Sequence, residues 1–323
     1  MQESTSQRGT NPELPVPEGI LQNLELISKN DVTVVLPVLN EEAGVEPVID
    51  EILANGYRNI LVVDGYSTDN TVQVAKEKEV SVVRQHGRGK TGAIRTAIEC
   101  VSTPYFLVMD GDHTYDAADI EKFLQHGARY DEIIGARRLE NISPLHRVGN
   151  KVICRLFNTM FGTTFQDVCS GMYLLKTKSA RRLDFRTKGF SVEVEILAQA
   201  AVESGESVTE VPINYRERIG KPKLSTWSAG IDILRSIMLL ARQYNPVFLF
   251  SILAGSAAIP GAALILWVVW IWLTHGGFHS GYALMGAMLL LLASQAFFIG
   301  TIAVLFKRAE LRIERLLRSE GRG

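Results

Sequence analysis

The sequence is poor in cysteine and nearly neutral in charge. Both features restrict the classes of protein to which it can belong. Its three cysteines, Cys100, Cys154 and Cys169, match neither the spacing of a zinc site nor a disulfide framework. We therefore expect free thiols in a reducing compartment. The formal net charge is −1, so the chain lacks the overall basic surplus typical of nucleic-acid-binding proteins, and we expect no nucleic-acid partner.

Charged residues are missing from two long apolar stretches in the C-terminal part. Neither 247–273 nor 282–306 contains an Asp, Glu, Lys or Arg. Each stretch is long enough to cross the hydrocarbon core of a bilayer, which takes about 20 residues. Helices buried in a soluble core seldom run so far without a charge. We therefore predict a hairpin of two transmembrane helices within 246–306.

Basic residues on both sides of this hairpin set its expected orientation. Arg235 and Arg242 precede it, and the segment 307–323 forms a basic tail after it. The positive-inside rule then places the large N-terminal part and both termini in the cytoplasm. Residues 229–245 have apolar residues at helical spacing. They fit either an amphipathic helix in the membrane interface or one packed on the preceding domain.

The region before the hairpin divides into a polar tail and a long stretch of alternating patterns. Residues 1–30 lack the basic start and apolar core of a signal peptide, and we expect a flexible tail. Within 31–228, apolar runs alternate with helical patterns across short links. This alternation predicts an α/β fold with a mostly parallel, doubly wound sheet. The predicted strands are 33–38, 60–63, 80–83 and 105–109.

Two carboxylates follow the fourth predicted strand. Asp110 and Asp112 stand one residue apart where the buried apolar run ends. Ligands of open α/β sheets bind at the carboxyl ends of the strands. Two carboxylates at that edge suit Mg²⁺ or Mn²⁺ carrying a diphosphate. The alternative is a loop with two solvated aspartates, since this short motif is common by itself.

A glycine-rich basic loop lies between the third and fourth predicted strands. Arg88 and Lys90 stand among glycines that let the backbone approach an anion closely. The end of this loop, 89–91, imitates a nucleotide-hydrolysing P-loop. However, Arg84 stands where a P-loop needs its first glycine, so we exclude that motif. A solvated basic turn is the alternative.

A series of short motifs follows in order along the chain. They are 36–41 (LPVLNE), 63–71 (VDGYSTDNT), 87–90 (GRGK), 110–112 (DGD), 135–138 (GARR), 167–172 (DVCSGM), 190–195 (FSVEVE) and 211–220 (VPINYRERIG). Together they resemble the family 2 glycosyltransferases of the GT-A fold. Within that family the series is similar to the polyprenyl-phosphate sugar synthases, such as dolichol-phosphate mannose synthase and dolichol-phosphate glucosyltransferase, and most similar to the archaeal dolichyl-phosphate hexose synthases. The resemblance covers about 33–224 and the two predicted spans.

The resemblance implies a metal-dependent, inverting transfer of a single hexose. The donor would be a nucleotide diphosphate sugar, with a UDP-hexose favoured and GDP-mannose as the alternative. The acceptor would be dolichyl or polyprenyl phosphate within membrane lipid, so the product would supply lipid-linked sugar for protein glycosylation. The expected cofactor is Mg²⁺ or Mn²⁺, and a homo-oligomer is compatible with the sequence. The rival functions are a processive polysaccharide synthase and a non-catalytic membrane scaffold subunit.

The resemblance also assigns residues to the donor and the metal. Asp110 and Asp112 would hold the metal. Asp64 would accept a hydrogen bond from a base N–H, as a carboxylate can. Relatives often carry a second acidic residue directly after this aspartate, and here Gly65 stands in that place. The residues expected to bind the donor are Pro37, Leu39, Asn40, Glu41, Asp64, Gly89, Lys90, Asp110 and Gly111.

A basic set is expected to bind the acceptor phosphate, because guanidinium groups match phosphate geometry with paired donors. The expected catalytic residues are Asp112, Arg137 and Arg147. Some relatives use a glutamine as a further metal ligand two residues after the second aspartate, where this chain has Thr114. The residues expected at the acceptor phosphate are Arg137, Arg138, Arg147, Arg218 and Lys223.

Overall fold

A computed structural model of the protein describes residues 27–138, 144–185, 192–202, 207–220 and 226–320. The described residues form an α/β domain with a mostly parallel sheet, followed by three long helices. The fold class expected from the sequence is therefore confirmed. Lys223 lies outside the described residues.

One sheet contains the seven strands found in the described residues, in the order β3-β2-β1-β4-β6-β5-β7. Strand β6 runs antiparallel between β4 and β5, whereas the other neighbouring pairs are parallel. The first four strands begin and end within one residue of their predicted limits. The strands are β1 Val32–Val38, β2 Ile60–Asp64, β3 Ser81–Arg84, β4 Tyr105–Val108, β5 Glu132–Arg137, β6 Tyr173–Lys176 and β7 Val208–Ile213.

Helices cover both faces of this sheet, which is why its central strands are almost continuously apolar. Alternate residues of β1 point to opposite sides, so Val34 and Leu36 pack with α1, α2 and α4, whereas Val35 packs with α3, α5 and α7. These residues are fully buried. The helices of the domain are α1 Glu42–Ala54, α2 Thr71–Glu77, α3 Gly89–Cys100, α4 Ile120–Gly127, α5 Pro144–Phe161, α6 Thr177–Ala180 and α7 Val192–Val202.

Three further helices follow the domain: α8 Thr226–Tyr244, α9 Pro246–His275 and α10 Ser280–Glu320. Helix α8 joins the core of the domain through Ile237 and Leu240. Asn245 caps α9 by accepting a hydrogen bond from the Phe248 N–H at 3.3 Å, and its side-chain amide donates to the carbonyl of Met160 in α5. The start of α9 is therefore fastened to the domain.

Helices α9 and α10 contain the two apolar stretches. The segments Val247–His275 and Ser280–Phe306 have mean hydropathies of 2.1 and 2.3, and only 11% and 17% of their most apolar windows are buried. Core helices of a soluble domain would be mostly buried, so these two helices indicate association with a membrane. Helix α10 continues beyond the apolar stretch to Glu320.

Two glycines let the paired helices approach each other closely, as small residues do between membrane helices. A methyl group added at Gly261 would lie 2.9 Å from Leu289 Cβ and 3.0 Å from the carbonyl oxygen of Gly286. We expect Gly261→Ala to destabilise the hairpin by about 1–3 kcal/mol through overpacking. Thermal unfolding in detergent would measure this effect.

Gly255→Ala is the matched control, since it makes the same substitution in α9 with nothing within 4 Å of the added group. The Gly255→Ala variant should be slightly more stable than the unchanged protein, because alanine has a better helix propensity than glycine. Equal melting temperatures for the two variants would contradict close packing at Gly261.

Candidate active site

A cavity of about 470 Å³ opens at the carboxyl edge of the sheet, beside the ends of β1, β2, β3 and β4. This is the edge at which open α/β sheets bind ligands. Asp112 and Arg218 also line the cavity. Of the residues expected to bind the donor, those that line it are Pro37, Leu39, Glu41, Gly89, Lys90, Asp110 and Gly111.

Lys90 connects Asp110 with a carboxylate from a distant part of the chain. Its Nζ lies 2.5 Å from Asp110 Oδ1 and 2.6 Å from Glu193 Oε1. Burial alone would lower the pKa of Lys90, but Asp110 and Glu193 raise it well above its usual value, so Lys90 is positively charged. Burial raises the pKa of the Asp110 carboxyl, and Lys90 offsets part of that rise. A Cβ at Gly171 would collide with the Asp110 carboxylate and come within 3.0 Å of Lys90 Nζ, so a side chain there would displace this ion pair.

Asp112 is held on both of its oxygens. Oδ1 accepts hydrogen bonds from the Thr114 N–H at 3.1 Å and from the Thr114 hydroxyl at 2.6 Å. Oδ2 lies 3.1 Å from Arg218 Nη1, and Arg218 also pairs with Glu41. Thr114, in the position where some relatives carry a glutamine, therefore orients the second aspartate of the motif.

Arg218 reaches the cavity because the segment 214–220 lies against the loop that follows β4. The Arg216 N–H donates to the Thr114 carbonyl at 2.8 Å, and the Ile219 N–H donates to the Asp112 carbonyl at 3.1 Å. The structure therefore brings Arg218 to the predicted metal motif, whereas the sequence associated it with the acceptor phosphate.

The remaining described arginines of the acceptor set do not line the cavity. Arg137 makes a two-pronged ion pair, with Nε 2.6 Å from Asp167 Oδ2 and Nη2 2.9 Å from Asp167 Oδ1. Burial would lower the pKa of Arg137, but Asp167 raises it well above its usual value. Arg138 is exposed, and Arg147 lies in the first turns of α5 and is partly buried.

Asn40 and Asp64 also lie outside the cavity lining. Asp64 is buried and accepts hydrogen bonds from the N–H groups of Tyr66 at 3.2 Å and Ser67 at 3.0 Å. Asn40 has a left-handed backbone with φ 52°, and its side-chain oxygen accepts a hydrogen bond from the Thr68 N–H at 2.7 Å. Both residues therefore shape the turn after β2.

Sequence reasoning missed four residues of the cavity wall: Val38, Gly65, Gln85 and Ala93. Gln85 follows β3 directly, at the same sheet edge as the two aspartates. Only the position of Gln85 directly after a strand could have indicated a role at the site, because the residue belongs to none of the short motifs.

The side chains at the cavity are suited to a divalent cation. Among the described residues, no group of three or more His, Cys, Asp or Glu side chains could hold a metal alone. Mg²⁺ typically binds one or two carboxylates together with substrate phosphates, which agrees with a pair of aspartates. The described charged groups here have more carboxylates than cations, so they favour an added positive charge. They are Glu41, Asp110, Asp112 and Glu193, against Lys90 and Arg218.

Comparisons with known proteins show which family the chain resembles. Residues 33–184 match the profile of glycosyl transferase family 2. Glycosyltransferase AglJ of Haloferax volcanii is 31% identical over 280 residues, covering 84% of this chain and 92% of that protein. The dolichyl-phosphate hexose transferase of the same organism is 30% identical over 215 residues, covering 65% of this chain and 93% of that protein.

A solved structure shares the fold. Glucosyl-3-phosphoglycerate synthase from Mycobacterium tuberculosis, in complex with Mn²⁺, UDP-glucose and phosphoglyceric acid, aligns with a TM-score of 0.57 at 20% sequence identity. The alignment covers 65% of this chain and 79% of that one.

The ion pair between Arg137 and Asp167 should contribute strongly to stability. Asp167→Ala would leave Arg137 partly buried without its partner, and we expect a loss of about 3 kcal/mol in the free energy of unfolding. Asp50→Ala is the control, because Asp50 is half exposed in its pair with Lys78 and should change stability little. Thermal unfolding in detergent compares the two. Equal melting temperatures would contradict this role.

Proposed function

The chain belongs to glycosyltransferase family 2, and we propose that it transfers a single hexose from a nucleoside diphosphate sugar to dolichyl or another polyprenyl phosphate. The observation that carries this proposal is that Asp110, Asp112, Lys90 and Arg218 line one cavity at the carboxyl edge of the sheet. Similarity to the Haloferax dolichyl-phosphate hexose transferase supports the proposal that the acceptor is a dolichyl phosphate. The product would be a lipid-linked sugar for protein glycosylation.

Asp110 and Asp112 would hold Mg²⁺ or Mn²⁺. When bound there, the cation supplies positive charge that stabilises the leaving nucleoside diphosphate. Lys90 and Arg218 provide the protein's own positive charge at the same place. Each retains a second carboxylate partner if its aspartate takes another ligand, since Lys90 also contacts Glu193 and Arg218 also contacts Glu41. They are therefore held in position to bind the donor phosphates.

The acceptor needs little activation. A phosphate monoester is substantially ionised near pH 7, so it attacks the anomeric carbon without a strong general base. The work of the protein is then to position the reactants and stabilise charge. Arg137, Arg138 and Arg147 are proposed to bind the acceptor phosphate, together with Lys223. Single displacement inverts the anomeric centre, so an α-linked donor gives a β-linked lipid sugar.

Helices α9 and α10 are proposed to span the membrane, with the catalytic domain and both termini on the cytoplasmic side. Helix α8 is proposed to lie in the membrane interface. It exposes Ile231, Leu234, Met238 and Leu239 while Ile237 and Leu240 are buried, so the domain leaves apolar side chains of this helix uncovered, which suits a lipid surface. The lipid acceptor would lie in the bilayer, and its phosphate would then reach the domain near the place where α9 is fastened to α5.

A transfer assay on the purified protein in detergent tests the reaction. With Mg²⁺ or Mn²⁺, dolichyl phosphate and a panel of nucleoside diphosphate sugars, we expect one hexose per lipid, detected by mass spectrometry. Asp112→Asn should lower the rate at least about 100-fold, because it removes a charge that holds the metal at the leaving group. Asp50→Asn, on the exposed side of α1, should transfer normally.

The same assay separates the alternatives. A folded Asp112→Asn protein with the wild-type rate would overturn the assigned site. Products with several hexoses per lipid would instead favour the processive polysaccharide synthase. Recovery of the donor's anomeric configuration in the product would contradict single displacement.

The native cysteines test the orientation. Cys100 is exposed at the end of α3, whereas Cys154 is buried, and burial raises the pKa of the Cys154 thiol to about 11. A membrane-impermeant maleimide should therefore label Cys100 in inverted vesicles and leave it unlabelled in right-side-out vesicles. Cys100→Ser is the control for the labelled position. The opposite pattern would contradict a cytoplasmic domain.

A further inference from the structure

The cavity crosses the ends of four neighbouring strands. These lie in the order β3-β2-β1-β4, and adjacent strands are about 4.8 Å apart, so the ends of β3 and β4 are separated by about 14 Å. Asp110 follows β4 on one side of the cavity, and Gln85 follows β3 on the opposite side. A nucleoside diphosphate whose phosphates lie at Asp110 and Asp112 would extend its base toward Gln85.

Gln85 is buried, with 4% of its surface exposed, yet it lines the cavity. Its backbone N–H donates to the Asp64 carbonyl at 2.9 Å, which fixes its position beside β2. Its side-chain Nε2 is turned toward the Gly87 carbonyl at 3.5 Å. Within the described part of the chain, no group donates a hydrogen bond to its Oε1. The side-chain amide therefore offers a ligand the acceptor Oε1 and, next to it, the donor Nε2.

The surroundings of Gln85 make this amide the main polar feature at the β3 end. Val38, Leu39, Gly65 and Ala93 line the wall nearby with apolar side chains or bare backbone. A Cβ added at Gly65 would come within 3.5 Å of Gln85 Oε1, so glycine leaves room in front of the amide.

The charged residues of the cavity wall are engaged elsewhere. Lys90 pairs with Asp110, and Arg218 pairs with Asp112 and Glu41. A base at the β3 end would therefore be recognised by the neutral amide of Gln85.

We propose that Gln85 recognises the base of the donor and that this base is uracil. Gln85 Oε1 would accept the N3–H of uracil, and Nε2 would donate to O4. In the orientation that turns Nε2 toward the Gly87 carbonyl, Oε1 would face the N3 acceptor of cytosine, which is repulsive. Guanine matches the amide with N1–H and O6, but the apolar side chains of Val38, Leu39 and Ala93 offer no acceptor for its 2-amino group, which would lose water unfavourably. This inference rests on the proposed use of a nucleoside diphosphate sugar.

Calorimetric titration of the full-length protein in detergent with Mn²⁺ and UDP, GDP or CDP tests this assignment. We expect the wild-type protein to bind UDP at least about tenfold more tightly than GDP or CDP, the size of effect that paired base contacts give. Gln85→Leu should weaken UDP binding about tenfold and GDP binding much less, so that the preference for UDP is lost. Gln85→Glu retains the shape and the acceptor but repels O4, so it should also lose the preference for UDP.

Gln199→Leu is the matched control. Gln199 is also 4% exposed, but its amide bonds to the backbone of Asp184 at 3.0 Å in both directions, away from the cavity. Its variant should retain the preference for UDP even if it is less stable.

Three results would overturn the assignment, and they separate it from the proposed function. A preference for UDP that survives in folded Gln85→Leu and Gln85→Glu removes the role of Gln85 and leaves the glycosyltransferase proposal intact. A wild-type preference for GDP removes uracil as the base. Failure of the folded wild-type protein to bind any of the three nucleotides removes both proposals.

Discussion

The balance of charge at the end of β4 is the constraint on which the rest of the structure depends. Asp110 and Asp112 follow a buried strand, where unpaired carboxylates would be costly. Lys90 and Arg218 therefore pair with them, and Glu193 and Glu41 hold those cations from the other side. These groups come from separate parts of the chain, so the site exists only when the domain, the segment 214–220 and α7 are assembled together. The resulting surplus of negative charge favours a divalent cation.

Much of the fold could be predicted because the central strands are parallel and buried on both faces. Strands β1 to β4 are short, nearly continuous apolar runs followed by helical patterns, and their limits agree with the prediction to within a residue. Strands β5 to β7 were not predicted. Strand β6 is inserted antiparallel between β4 and β5, next to strands that are distant in sequence. Such pairing is set by tertiary contacts, and local periodicity carries no sign of it.

The candidate site was predictable where its residues belong to short motifs at strand ends. Asp110, Asp112 and Lys90 line the cavity for that reason. The roles that depend on hydrogen-bond or ion-pair partners elsewhere in the fold could not be predicted from the sequence. Asp64 has the expected position after β2, but its carboxylate supports the turn that follows. The pairing of Arg218 with Asp112 depends on how the segment 214–220 folds back across the domain, and Gln85 belongs to no recognisable motif.

A structure of the protein with Mn²⁺ and a nucleoside diphosphate tests the central claim most directly. The account predicts that Asp110 and Asp112 hold the Mn²⁺ and that the diphosphate lies in the same cavity. A diphosphate bound elsewhere, or a cation that contacts neither aspartate, would contradict it.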